Sequence, residues 1–433
     1  MSHNQTSWPE VTISRRGAER IGAGHVWVYR SDVLDAKGIS PGAVVTVQEK
    51  SDRNARRTQG RPLGTAFYST ASEIAVRMLS RSLVDDVDQL LRKRIQDAVS
   101  FRERFVENSN AYRVVFSEGD LLPGLIVDRY NDILPMQVLT QAMDSEHIRD
   151  LVVSELTSTL KPAAIVERVD ARVRRLEQLP EKESGVIWER QASARELLND
   201  AGEAGVLPVG YAGRGRPGPH GPITTEFEMN GVRFLYQAVG SQKTGAFLDQ
   251  RENYAAAEKY ARGDALDVFC YQGGFALHLA RVCDRVTGVD SSRPALEIAD
   301  KNAELNGREI EWIEANAFDL LRDYSDAGRK YDCIALDPPA FAKTKRDVAT
   351  ALRGYKELNL RALKMLRPGG ILVTCSCSFH VSVGDLLEVL ASAAQDSHRN
   401  LRILENRGAS KDHPNVPGIN ETAYLKCMIA LVS

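Results

Sequence analysis

Cysteine is scarce in this chain and poorly placed for cross-linking. There are six in 433 residues (Cys270, Cys283, Cys333, Cys375, Cys377 and Cys427), all in the last two-fifths of the sequence. No Cys-x-x-Cys occurs, and neither His278 nor His380 stands at a familiar zinc spacing from two cysteines, so no metal site is expected. Apolar runs are short: none approaches the ~20 residues a membrane span requires. The start, MSHNQTSWPE, lacks the basic and apolar regions of a secretory signal. The expectation is a cytoplasmic protein away from any membrane, in a reducing compartment that disfavours structural disulfides. Charge of one sign is also missing. The net value of −2 does not announce a nucleic-acid partner, so any such role must rest on local patches.

What is present is punctuation into three regions. Residues 1–80 read as short β segments, with "VVTVQEK", "GTAFYS" and "EIAVRML" separated by turns. The loop "KSDRNARRTQGR" concentrates Arg53, Arg56 and Arg57, and is either a solvated turn or a phosphate-contacting patch. Residues 81–222 open with a helical run, "LVDDVDQLLRKRIQDAVSFRERF", whose basic Arg92–Arg94 is a further phosphate candidate. They continue through strand-like "AYRVVF", "LIVDRY", "ILPMQVL" and "AAIVERV" with one more helix, a small α+β domain ending in the Gly- and Pro-rich linker "AGRGRPGPHGP". Residues 223–433 alternate strand and helix five times, which predicts a Rossmann-like, largely parallel sheet covered on both faces.

Ligands of such sheets bind beyond the carboxyl ends of the strands. A dinucleotide fingerprint, G-x-G-x-x-G, is absent there, as is a P-loop; the first turn, "FCYQGGF" beginning at Phe269, holds only Gly273 and Gly274 and is the candidate donor-binding turn. At the end of the second strand Asp290 can accept ribose hydroxyls, and after the third Asn316 can pair with an adenine edge. Ribose and adenine without a diphosphate grip describe S-adenosylmethionine, and hence a methyltransferase. The fourth strand ends in "LDPPAF", where Asp337 sits at the expected meeting point of methyl group and acceptor and Phe341 offers a face for stacking on a base.

The fifth strand, "ILVTCSC", ends in two thiols. Carbon 5 of a pyrimidine is too weak a nucleophile to accept a methyl group until a thiolate has added to carbon 6. Cys377, nearest the strand exit, meets the positional demand; Cys375, one pleat deeper, is a pocket residue or second thiol. Cys270, Cys333 and Cys427 fall in or beside strands, where free cysteine is usually core.

With these residues in place, the chain resembles the RlmI (YccW) family of class I bacterial methyltransferases, which make 5-methylcytosine in large-subunit rRNA. "GHVWVYRSDV" and "GTAFYSTASEIAVRML" are similar to that family's N-terminal PUA domain, an RNA-binding module. "FSEGDLLPGLIVDRYND" resembles its central domain, and "SQKTGAFLDQREN", "FCYQGGF", "LDPPAFAKTK" and "SCS" resemble its catalytic domain. The resemblance implies that Lys243, Thr244, Asp249 and Arg251 line the donor pocket and that Cys377 is the nucleophile; by its charge alone Lys343, after the D-P-P-A-F loop, is a candidate for positioning RNA phosphates. The base that removes the carbon 5 proton stays open, with Asp337 ahead of Cys375. Two other readings stay open: methylation of an exocyclic amino group through the D-P-P loop, and an inert RNA-binding assembly factor. Monomer and homodimer are both open.

Overall fold

The computed structural model describes residues 8–51, 60–190, 223–238 and 245–433. The linker expected before residue 223, the Arg53, Arg56 and Arg57 patch, and Lys243 and Thr244 lie outside the described residues.

Near the N-terminus a sheet of six short strands runs in the order Trp27–Tyr29, Ile74–Ser80, Pro62–Tyr68, Val44–Glu49, Glu10–Ile13 and Val33–Asp35. Strand alternation sends Val11, Ile13, Val45 and Val47 into one core. That core is completed from the far end of the chain, because Ile419 is buried in it.

The predicted helix forms as Val87–Phe105, capped by Asp86, whose carboxylate accepts from the Gln89 amide. Its Leu91, Ile95, Ala98 and Val99 stripe is buried in the core shared with a five-stranded sheet. The strand order is Gly185–Glu189, Ala164–Glu167, Ile133–Val138, Leu125–Tyr130, Ala111–Phe116. The first of these, "GVIWE", adds antiparallel to the expected strands. Its apolar residues run consecutively, so it carries no period-two signal.

A hairpin of Thr224–Met229 and Val232–Gln237 follows, turned at Asn230 and Gly231, both with positive φ. Asn-Gly is the strongest short hairpin signal, because both central positions require the left-handed region. The hairpin ties neighbouring elements together. Ser109 bridges to Met229, and Asn302 and Asn306 accept from the Leu235 and Arg233 amides.

The C-terminal sheet has seven strands, ordered Glu311–Glu314, Arg285–Asp290, Asp264–Val268, Tyr331–Leu336, Leu366–Ser376, Lys426–Val432 and Leu401–Arg407. The first five are parallel and the last two are joined antiparallel. From Asp264–Val268 the chain first builds outward to one side and then resumes on the other. The strand order therefore switches between Asp264–Val268 and Tyr331–Leu336, which leaves a crevice at their carboxyl ends.

The segment 408–425, linking the two antiparallel strands, reaches across the molecule. Gly418 packs on Gly24, and Arg102 and the Arg113 amide both donate to Asp412. The Ser410 amide and hydroxyl donate to the Asp249 carbonyl. One aperiodic stretch thus touches all three large sheets' layers.

Candidate active site

The crevice opens as a cleft of about 510 Å³ lined by Phe247, Asp249, Gln250, Phe269, Tyr271, Asp290, Asp337, Pro338, Cys377 and Tyr424, among others. A small, largely aromatic pocket shares Phe247, Phe269, Tyr271 and Asp337 with it and includes Asp267 and Gly274.

The floor is a strained turn. Phe269 and Tyr271 both have positive φ, 67° and 49°, although neither is glycine. Such conformations cost of order 1–3 kcal/mol each and persist where surroundings over-determine them. Here the Tyr271 amide donates to Asp290 Oδ2 at 2.9 Å and the Cys270 amide to the Val289 carbonyl. Gly273, at φ 87°, starts the helix Gly274–Leu279. A Cβ on Gly274 would lie 2.4 Å from the Tyr254 ring, so that position admits only glycine without a shift. The Asp290 carboxylate also accepts from the Ser292 amide, and each oxygen keeps a lone pair for the cleft.

Four carboxylates, Asp249, Asp267, Asp290 and Asp337, line the cleft and the pocket adjoining it. Asp337 follows the fourth parallel strand and accepts from Gln250 Nε2 at 2.9 Å. Burial, with the Asp249 charge added, pushes it up to about 7. Asp267 accepts from the Ala276 amide on one oxygen, while Oδ1 is buried with no protein partner. Burial raises it to about 8, and Asp337 and Asp290 add to the rise against the Ala276 hydrogen bond. Asp267 was not singled out in the sequence. It lies in the middle of an apolar strand, and only the fold shows that its second oxygen lacks a donor.

The thiols part company. Cys375 is fully buried, faces Cys427 across the antiparallel pair and belongs to the core. The expectation of a second pocket thiol is corrected there, because Cys375 is packed into the core cluster that includes Cys427, Tyr254 and Phe275. Cys377 stands one residue past the strand end and lines the cleft, with Sγ 3.8 Å from the Pro338 carbonyl oxygen. Burial pushes its thiol up to about 12, and Asp337 and Asp249 push the same way, with Lys426 opposing them. Lys426 is itself buried. Its Nζ donates to the carbonyls of Ser378 and Tyr424, both at 2.7 Å, which clamps the exit of the Cys377 strand.

Other expected site residues lie elsewhere. Arg251 does not line the cleft: it is buried, with Nη2 3.0 Å from Asp412 and Nη1 donating to the Ala111 carbonyl. Its neighbour Asp249 does line the cleft and accepts from the Tyr424 hydroxyl at 2.6 Å. Asn316 caps the helix Ala317–Asp326, its carbonyl oxygen accepting from the Phe318 and Asp319 amides, and it is not part of the cleft wall. Phe341 packs on Tyr355 and Phe318, at ring separations of 4.8 and 5.9 Å. Lys343 is exposed. Gln250 and Tyr424, absent from the expected set, hold Asp337 and Asp249. No local pattern marks them, because Tyr424 reaches Asp249 across 175 positions.

Fold and cleft define a class. A sheet of this topology with a carboxylate-lined crevice at its switch point suits a ligand bearing a ribose and positive charge. A family model described as S-adenosylmethionine-dependent methyltransferase matches residues 220–430, and a PUA-like domain model matches residues 11–81. The protein is an S-adenosylmethionine-dependent methyltransferase. More narrowly, the chain belongs to the family of ribosomal RNA large subunit methyltransferase I. It is 33% identical to that protein of Photobacterium profundum over 411 residues, covering 93% of this chain and 94% of the relative. Against that of Klebsiella pneumoniae it is 30% identical over 428 residues, covering 97% of each. The fold is shared with SMU.776, a methyltransferase solved with SAH, at a TM-score of 0.76 and 18% identity over 98% of this chain and all of that one. A Streptococcus mutans methyltransferase structure gives 0.75 at 17% identity, with 98% and 100% covered.

The residues fit the cofactor. The unpartnered Asp267 oxygen needs a donor, and a cation lowers the cost of ionising Asp267 and Asp337. Ionisation is therefore coupled to binding. With both groups raised to about 8 and about 7, binding a cationic ligand releases protons, and affinity rises with pH from about 6 to 8. Calorimetry in buffers of different ionisation enthalpy should show that release with S-adenosylmethionine, and less of it with S-adenosylhomocysteine, whose sulfur is neutral.

Proposed function

We propose that the protein methylates carbon 5 of a cytosine in large-subunit ribosomal RNA through a transient bond between Cys377 and carbon 6. The observation that carries this reading is the Cys377 thiol in the cleft wall, beside the Pro338 carbonyl and the Asp337 carboxyl. The names of the relatives support ribosomal RNA as the substrate.

S-adenosylmethionine supplies an electrophilic methyl group. The chain's own residues supply the rest. Cys377, once ionised, adds to carbon 6, and the ring's electron pair becomes available at carbon 5. After methyl transfer a base takes the carbon 5 proton, the double bond re-forms and the thiolate leaves. Asp337 suits that base: near about 7 it can hold or release a proton at neutral pH, and Gln250 fixes its orientation. In the RNA-free protein the thiol stays protonated, which protects it from oxidation. Its ionisation belongs to the loaded site, where a neighbouring cation offsets Asp337 and Asp249.

Amino-group methylation is disfavoured by Phe341, which turns to Tyr355 and Phe318 instead of the cleft. Incubating the protein with undermodified large-subunit rRNA and labelled S-adenosylmethionine, then mapping the nucleoside by mass, should give 5-methylcytidine. An N-methylated nucleoside would overturn the reading, and no label in any rRNA would favour an inert assembly factor.

A further inference from the structure

The rim beyond Cys377 carries an exposed aromatic that the methyl-transfer chemistry does not use. Phe379 is 41% exposed, two residues past the cleft thiol. The His380 ring stands edge-on to it, centroids 5.1 Å apart at 63°, and supports the ring without covering it. The turn bearing Phe379 is bolted to the loop that follows Pro339. The Ala342 amide donates to Ser378 Oγ at 3.1 Å, Tyr355 Oη lies 2.9 Å from the same oxygen, and Lys426 holds the Ser378 carbonyl. On that loop Lys343, Lys345 and Arg346 are all exposed, and among the described residues none of their side chains forms an ion pair. A carboxylate on the same loop, Asp347, accepts from the Thr344 amide and hydroxyl.

We propose that this rim, with Phe379 as a stacking platform and Lys343, Lys345 and Arg346 as phosphate contacts, binds unpaired RNA nucleotides flanking the base presented to Cys377. The proposal rests on the RNA reading above and adds that the substrate segment is single-stranded. A paired base in an A-form helix has both faces covered by its neighbours, whereas a splayed nucleotide can lay a face on Phe379. Positive side chains without partners favour the phosphates between such nucleotides. The target base must itself leave its stack to reach a thiol inside the cleft, so unpaired neighbours lower the cost of presenting it.

The test measures anisotropy of a labelled unpaired oligoribonucleotide, and of its duplex, on the full chain at fixed salt. Loss of one base–aromatic stack in Phe379→Ala should weaken binding of the unpaired strand by roughly 5- to 100-fold. Phe379→Trp should restore it, while affinity for S-adenosylmethionine and the melting temperature stay as in the wild type. Unchanged affinity in Phe379→Ala, or equal losses for strand and duplex, would overturn the platform and leave the RNA reading standing. A wild-type chain that binds neither RNA would remove both.

Discussion

Cys377→Ala is expected to lower methyl transfer by on the order of 10⁴ or more, the scale seen when a catalytic nucleophile is lost. Affinity for S-adenosylmethionine should stay close to that of the wild type. The cleft's carboxylates and the strained Phe269–Tyr271 turn do not depend on the sulfur, and Lys426 holds the strand exit through backbone carbonyls. A second measurement reads the covalent step directly. With RNA carrying 5-fluorocytidine, addition and methylation proceed, but fluorine cannot leave carbon 5 as a proton does. The wild-type protein should therefore accumulate a protein–RNA adduct stable to denaturation, and Cys377→Ala should form none. Cys375→Ala should form the adduct normally, since that thiol is sealed against Cys427 in the core. Turnover by Cys377→Ala near the wild-type rate would remove covalent catalysis from the account.

The second large effect is structural. Asp412→Asn should destabilise the protein by about 3–5 kcal/mol, the usual cost of breaking a buried ion pair from one side. Asp412 is fully buried; one oxygen accepts from Arg251 and the other from the Arg113 amide. A carboxamide must turn its amino group toward one of these donors, so a donor faces a donor and the buried Arg251 charge keeps only the longer, partly exposed contact to Glu252 at 3.6 Å. The readout is the urea midpoint. Its pH dependence gives an independent check with a definite sign. Burial alone would raise the Asp412 carboxyl, but the adjacent His413 and Arg251 outweigh it and hold it at about 2, below the ordinary range of an aspartate. A carboxyl depressed by folding adds stability that is complete above about pH 4 and is lost as pH falls toward 2. That part of the acid limb should be missing in Asp412→Asn. An unchanged urea midpoint would show that the Asp412 carboxylate is not what holds segment 408–425.

These two residues also mark how far the sequence could be read. Cys377 was legible because parallel β/α units obey local rules. Alternating strand and helix patterns imply the sheet, and the carboxyl ends of its strands gather in one place. Asp290, Asp337 and Cys377 end three different strands and do line one cleft. Asp412 was not legible. It sits in an aperiodic loop, and its partners Arg113 and Arg251 lie 299 and 161 positions away. Arg251, which the family resemblance implied in the donor pocket, turned away from the cleft for the same reason.

Composition, period and strand-end residues by themselves determined the sheet class, the cofactor type and the thiol at the strand exit, since each follows from backbone periodicity and the chemistry of single side chains. Tertiary structure alone decided which of two neighbouring cysteines is sealed, which aromatic of the rim is exposed and which aspartate lacks a donor. Those outcomes depend on what a distant segment covers. Cys427, from the antiparallel strand Lys426–Val432, lies beside Cys375 in one core cluster, and the Phe318–Tyr355 surface takes Phe341 and leaves Phe379 outside.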